Sequence, residues 1–279
     1  MRPEIHRRIR ILQCVGMIFL LLLAPPAYAE TFLNVTGRGA AAVSGITPEE
    51  GRLIALQRAR ADAVEKAAGI KVLGSTVVRN GLLVGQYLKT FISGYIVAER
   101  DVTWKSTFVT MKDGIDIPQY EVTLTADVMM PKKKTNPGFR LDAGIGRASF
   151  VAGDTAMVTA TVTRPARIAV FCFRADDTVE MLYPGTVHDA KTIIDRREPF
   201  SFPRDDSGLV LEMYTLKGHK RDSEAFMIAA VEAGDGADVS FLDLFSTGRL
   251  YGVPDFFSVY GKIADMTAET ILPYEVREK

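Results

Sequence analysis

Residues 120–128 alternate without a break: Tyr120, Val122, Leu124, Ala126 and Val128 fall on one face, and Glu121, Thr123, Thr125 and Asp127 on the other. Successive side chains of a strand point to opposite faces, so this run predicts a strand with one buried and one wet face, as in an antiparallel sheet. Residues 155–162 repeat the pattern, with Ala156, Val158, Ala160 and Val162 as the apolar set. Residues 168–173 are apolar on both faces, which predicts a central strand covered from both sides. Further strand candidates are residues 32–37, 70–78, 95–111 (which include Trp104), 179–183, 209–216 and 226–231. Turn signals separate them at Asp113-Gly114, Gly153-Asp154, residues 175–178 and Pro184-Gly185.

One helix is signalled as clearly. Thr47-Pro48-Glu49-Glu50 places Thr at the N-cap, Pro at the first helical position and Glu three residues after the cap. Leu53, Leu56, Ala59, Ala63 and Ala67 follow at helical spacing, Asp62 and Lys66 stand in the favourable i, i+4 order, and Gly69 supplies the stop. The small residues on this stripe allow close approach to a sheet or a second helix. Asn80-Gly81 opens a shorter helical stretch over residues 82–91. Near the end, Phe256, Val259, Tyr260, Ile263 and Met266 fit one amphipathic helix that Pro273 terminates, with residues 274–276 adding a final strand.

The expected fold is an α+β domain over residues 30–130, with helices on an antiparallel sheet, followed by a mainly-β, sandwich-like domain with a C-terminal helix over residues 139–279. Residues 131–138 hold three lysines between two prolines and end in glycine, a poor helix and a poor strand, and read as a solvated linker.

Residues 1–29 read as a secretory signal. Arg2, Arg7, Arg8 and Arg10 precede an apolar run over residues 14–24, and Ala27-Tyr28-Ala29 predicts cleavage before Glu30. The run is short for a membrane span, and no later segment reads as transmembrane. Cys14 stands at the start of the run rather than at the cleavage point, which argues against a lipid anchor there. The expected localisation is periplasmic, with a peripheral place at the outer membrane allowed. Taking four arginines and one glutamate from a formally neutral chain leaves the mature protein at −3, with no electrostatic case for nucleic-acid binding. Cys172 then remains alone, so no intramolecular disulfide forms and the core must supply the stability.

No catalytic, cofactor or metal set emerges. There is no G-x-S-x-G, and His188 and His219 are the only histidine bases left after the signal, both in polar loops. Cys172 sits within Val170-Phe171-Cys172-Phe173 and reads as a buried thiol. Two histidines and one cysteine do not make a zinc site. The pairs Asp113/Asp116 and Asp235/Asp238 fall short of a calcium loop, and Asp176-Asp177 reads as two solvated turn acids. Gly37, Gly39 and Gly45 lack the lysine and hydroxyl of a phosphate loop. Asn34-Val35-Thr36 is formally a glycosylation acceptor, which matters only in a eukaryotic host.

Residues 58–69 (from Arg58-Ala59-Arg60-Ala61-Asp62-Ala63 to Lys66-Ala67-Ala68-Gly69), the strand at 72–78, Gly94-Tyr95-Ile96-Val97 and the closing strand Tyr120-Glu121-Val122-Thr123-Leu124 together carry a resemblance. The first half resembles the N-terminal domain of the flagellar assembly protein T and the related Lpp-twenty-type lipoproteins. That resemblance implies an envelope protein with a structural or assembly role. In the second half, Phe150-Val151-Ala152-Gly153-Asp154, residues 168–173 and residues 177–184 are similar to the bacterial domain of unknown function 4384, with Asp176-Asp177 where that family commonly has Asp-Gly. This implies a β-sandwich accessory module and no reaction. The function expected is a non-enzymatic periplasmic adaptor or assembly factor of a cell-envelope complex, flagellar or outer-membrane associated. It would bind protein partners through sheet edges and apolar patches. The alternative is a small-ligand or glycan-binding sensor that uses an interdomain cleft lined by Tyr183, Tyr214, Phe200 and Phe202.

Overall fold

Thr47 caps the first helix, α1 (Pro48–Ala68), in the computed structural model of the chain. Its hydroxyl accepts the Glu50 amide and the Glu50 carboxylate accepts the Thr47 amide, while Gly69 closes the helix in the left-handed region at φ 65°. The structure describes residues 30–69, 94–110, 114–132, 138–196, 198–205, 207–234 and 239–279. The signal segment, the strand expected at 70–78, the helix expected at 82–91 and most of the expected linker lie outside the described residues.

Strand β1 (Glu30–Ala42) precedes α1, and β2 (Tyr95–Thr110) and β3 (Asp116–Met130) follow it in an antiparallel sheet of order β1-β3-β2. α1 lies across β1 and β3. Ala55, Ala59 and Ala63 are fully buried there above Val122, Leu124, Ala126 and Val128. The approach is as close as backbones permit. A Cβ on Gly37 would stand 2.1 Å from the Ala59 carbonyl oxygen, and one on Gly39 would stand 2.0 Å from that of Ala55. These two glycines, which the sequence set beside a phosphate loop, are the seat of the helix.

The second half is built on a six-stranded sheet of order β13-β9-β8-β12-β14-β5. Its strands are β5 (Ser149–Val151), β8 (Ala166–Phe173), β9 (Thr178–Tyr183), β12 (Arg221–Glu232), β13 (Leu250–Gly252) and β14 (Thr267–Arg277). Every pairing in it is antiparallel except β14 with β5. β8 sits between β9 and β12 and is buried on both faces, which explains its unbroken apolar run. One face carries Val170, Phe226, Ile228 and Val276 against a small sheet of β4 (Leu141–Gly144), β7 (Val158–Val162) and β10 (Phe200–Phe202). β6 (Thr155–Ala156) and β11 (Leu211–Glu212) pair alongside. The other face carries Phe171, Phe173, Met181 and Met227 against α3 (Phe241–Leu244) and α4 (Val253–Tyr260), and this core runs on into the first half. Tyr95 of β2 stacks on Phe257 at 4.9 Å and meets Tyr260 edge-on at 5.8 Å.

Two expectations are corrected. Among the described residues the fold is mostly β, with 49% strand against 19% helix, and a separate N-terminal α+β domain of helices on a sheet is not found there. A single described helix rests on part of a long ribbon sheet, and the Tyr95–Met129 end of that ribbon is packed into the second half by α4. Pro273 ends no helix. α4 stops at Tyr260, and Pro273 lies inside β14 opposite Ala225. The Glu275 amide points towards the β5 side, where it reaches the Ala148 carbonyl. Two residues earlier the nitrogen of Pro273 points the same way, beyond the residues β5 pairs, so no donor is missed. Among the described residues no helix is long and apolar enough to cross a membrane, a statement that leaves β-barrels aside.

Candidate functional site

The side chains with chemical potential are engaged in structure. Cys172 is buried, its Sγ 3.4 Å from the Tyr274 hydroxyl, which donates to the Glu224 carboxylate at 2.8 Å. Burial pushes the thiol far above its ordinary range, so it is a poor nucleophile. Burial also raises Glu224, outweighing its bonds from Tyr274 and the Ala175 amide. A carboxyl so raised contributes stability fully below the unfolded value of about 4.3 and loses it as pH rises through the folded value. Glu224→Gln removes the ionisation; its one amide oxygen still accepts the Ala175 amide, and its NH2 donates to the Tyr274 hydroxyl oxygen in place of accepting from it. It is expected to raise the melting temperature relative to wild type near pH 8 and to lose that advantage at about pH 4. Thermal melts across that range check this.

His188 lies exposed on α2 (Val187–Lys191). His219 is not the open loop histidine expected. Its Nδ1 is 2.6 Å from Oδ1 of the buried Asp222, whose other oxygen accepts the Leu216 amide. No hydroxyl or thiol bonds His219 among the described residues, so the base and acid meet without a nucleophile.

Asp176 is an exposed turn acid bonded to Thr178, but Asp177 is not. At φ 66° it turns inward, and both its oxygens lie 2.7 Å from the Arg60 guanidinium. Arg60 is 4% exposed and holds Glu99 of β2 at 2.7 Å as well. One arginine thus ties α1, β2 and the β8–β9 turn together. Asn34, at a bulge in β1, accepts from Arg100, which also pairs with Asp127. Tyr183 and Phe200 are buried in the second core with Phe202 packed on Tyr183, whereas Tyr214 is exposed and bonded to Glu212, so the four line no common cleft. Asp116 accepts from Thr110, and Asp113, Asp235 and Asp238 lie outside the described residues. No group of three or more His, Cys, Asp or Glu side chains suited to a metal occurs among the described residues.

Among the described residues, two sets of exposed apolar side chains stand out. Met157 and Val210 immediately adjoin the last pair, Ala156–Leu211, of the β6–β11 ladder. They are 49% and 64% exposed, and Leu209 and Tyr214 in the same segment are exposed too. The second set lies on β2, which among the described residues is an edge strand that pairs only with β3. Trp104 and Phe108 stand opposite Val122 and Pro118, on the face α1 covers over β1 and β3. On β2 that face is bare: Trp104 is 42% and Phe108 71% exposed. On the opposite face Glu121 accepts from Thr107 at 3.2 Å and from Gln119 at 2.9 Å. Sequence reasoning noted Trp104 without assigning it and passed over Phe108. The signal was present as a period-2 pattern, Trp104-x-x-x-Phe108 against Lys105 and Thr107.

The chain matches no protein-family model, and no curated protein matches it.

Proposed function

We propose that this protein is a non-enzymatic adaptor or assembly factor of a bacterial cell-envelope complex, exported to the periplasm with its signal removed before Glu30. The observation that carries this reading is the set of exposed apolar side chains Met157, Leu209, Val210 and Tyr214, in the segments that flank the short β6–β11 pair. Ordered apolar patches of this kind mark surfaces made for a protein partner. The state of the acids, histidines and thiol singled out above favours the same reading, since each that lies among the described residues is bonded into the fold or exposed on the surface. The resemblance of the two halves to flagellar-assembly, Lpp-twenty and envelope accessory domains points to the same compartment. An adaptor needs no reacting centre, only a rigid scaffold and apolar anchors.

The test is a crosslinked pull-down of the tagged mature chain from its own envelope, run beside Val210→Asp. Stoichiometric flagellar or outer-membrane components are expected with wild type and are expected to fall to background with the variant, whose circular dichroism stays unchanged. Recovery of the protein alone from a soluble fraction overturns the reading.

A further inference from the structure

We propose that two copies of this chain pair antiparallel through their β2 strands about a two-fold axis at Ser106, joining both three-stranded sheets into one. The inference goes beyond the adaptor reading and uses a different surface, so either can fail alone.

The edge is open over a definite stretch. Near its base β2 carries two bulges, between Ile96 and Ala98 and between Arg100 and Thr103, with Asp101 at φ 53°. Bulges twist an edge away from pairing and protect it. From Thr103 to Thr110 the register with β3 is regular, and no strand among the described residues pairs with the other side, so this half presents a row of backbone donors and acceptors. Lys105 is its only charged residue.

The pattern of side chains selects the partner and the register. A two-fold normal to the sheet must centre on a residue, because neighbouring residues point to opposite faces. Centres at Thr103 or Trp104 drive the Asp101 bulge into the new ladder. A centre at Lys105 sets that lysine against its own copy, and like charges directly opposed are unfavourable. A centre at Thr107 places Phe108 against Ser106 and leaves Trp104 against Thr110. Only Ser106 sets Trp104 opposite Phe108 of the second copy, twice over, and so covers both exposed aromatics. On the other face the same register sets each Lys105 opposite Thr107 of the second copy. Thr107 is the residue that donates to Glu121, and Glu121 stands opposite Lys105 on β3 of the same chain, so the lysine meets a hydroxyl and no like charge in the new ladder. Reciprocal aromatic cover with no like charges opposed is what an isologous contact requires.

The mature chain has Cys172 as its only cysteine, and that thiol is buried. Residues directly opposed in an antiparallel pair have Cα atoms about 4.5–5.5 Å apart, within disulfide reach. The purified mature protein is expected to run at twice its chain mass in light scattering, and Ser106→Cys is expected to oxidise to a covalent dimer. Lys105→Cys is expected to remain largely uncrosslinked, since its copy sits diagonally. Phe108→Lys, on an exposed side chain that folding does not need, is expected to shift the mass to one chain. A monomeric wild type overturns the proposal. So does a dimer that survives Phe108→Lys, or one that crosslinks through Lys105→Cys in preference to Ser106→Cys. A monomer whose Ser106→Cys variant crosslinks to a different protein also overturns it, in favour of a foreign strand on the edge.

Discussion

Arg60→Ala is expected to lower the stability of the protein by about 3–5 kcal/mol, the cost of removing one partner from a buried ionic group. Arg60 holds Glu99 and Asp177 at 2.7 Å each, and its removal leaves two carboxylates facing each other beneath α1. Arg60→Lys is expected to recover only part of the loss. An ammonium on a flexible stem does not reproduce the planar guanidinium that serves both carboxylates at once. The triple change Arg60→Met, Glu99→Gln and Asp177→Asn is expected to be more stable than Arg60→Ala, since no buried charge is then uncompensated. Urea unfolding of the four proteins checks the order. Equal stability of Arg60→Ala and wild type would show that the triad is not what joins the helix to the second half.

Gly39→Ala is expected to destabilise by about 3 kcal/mol, the upper part of the range for overpacking a tight interface. A methyl group at this position would lie 2.0 Å from the Ala55 carbonyl oxygen and 2.5 Å from the Ala59 nitrogen. Both are backbone atoms of α1, so no side chain can rotate aside and the helix itself must move. Gly37→Ala meets the Ala59 carbonyl in the same way, and the pair of changes is expected to unseat α1. Gly45→Ala is a useful contrast, because nothing lies within 4 Å of that position and its cost is the left-handed φ of 72° alone, about 1 kcal/mol. Denaturant midpoints for the three single variants separate contact from backbone strain. A Gly39→Ala midpoint no lower than that of Gly45→Ala would refute the close-packing account.

Local patterns were legible wherever the physics is local. The capping box at Thr47 and Glu50, the Asp62–Lys66 pair and the Gly69 stop depend on residues within one or two turns of each other, and each appears as the spacing implied. The alternation in β3 and the unbroken apolar run of β8 are likewise direct readings of which faces are covered. Pro273 was misread because a proline is tolerated or excluded by where its nitrogen points, and that depends on how far β5 extends beside β14. Asp177 was read as solvated because nothing near it in the chain announces Arg60, 117 residues away. His219 reads in the sequence as an exposed loop histidine because the burial of Asp222, three residues on, is a property of the sheet rather than of the loop.

The candidate surfaces divide in the same way. The sequence by itself determined that β2 is amphipathic, with Trp104 and Phe108 on one side and Lys105 and Thr107 on the other, because a strand's two faces follow from its period of two. It also determined that the small stripe of α1 would be pressed against something. Which strands that helix covers was decided only by the tertiary structure. α1 seats on Gly37 and Gly39 of β1 and on β3, leaving the same face of β2 bare. A single helix is too narrow to cover three strands, and the two glycines draw it to the side where backbones can approach most closely. Tertiary packing likewise turned Asp177 inward to Arg60 and left Phe108 in solvent, and no local window of sequence contains both Arg60 and Asp177.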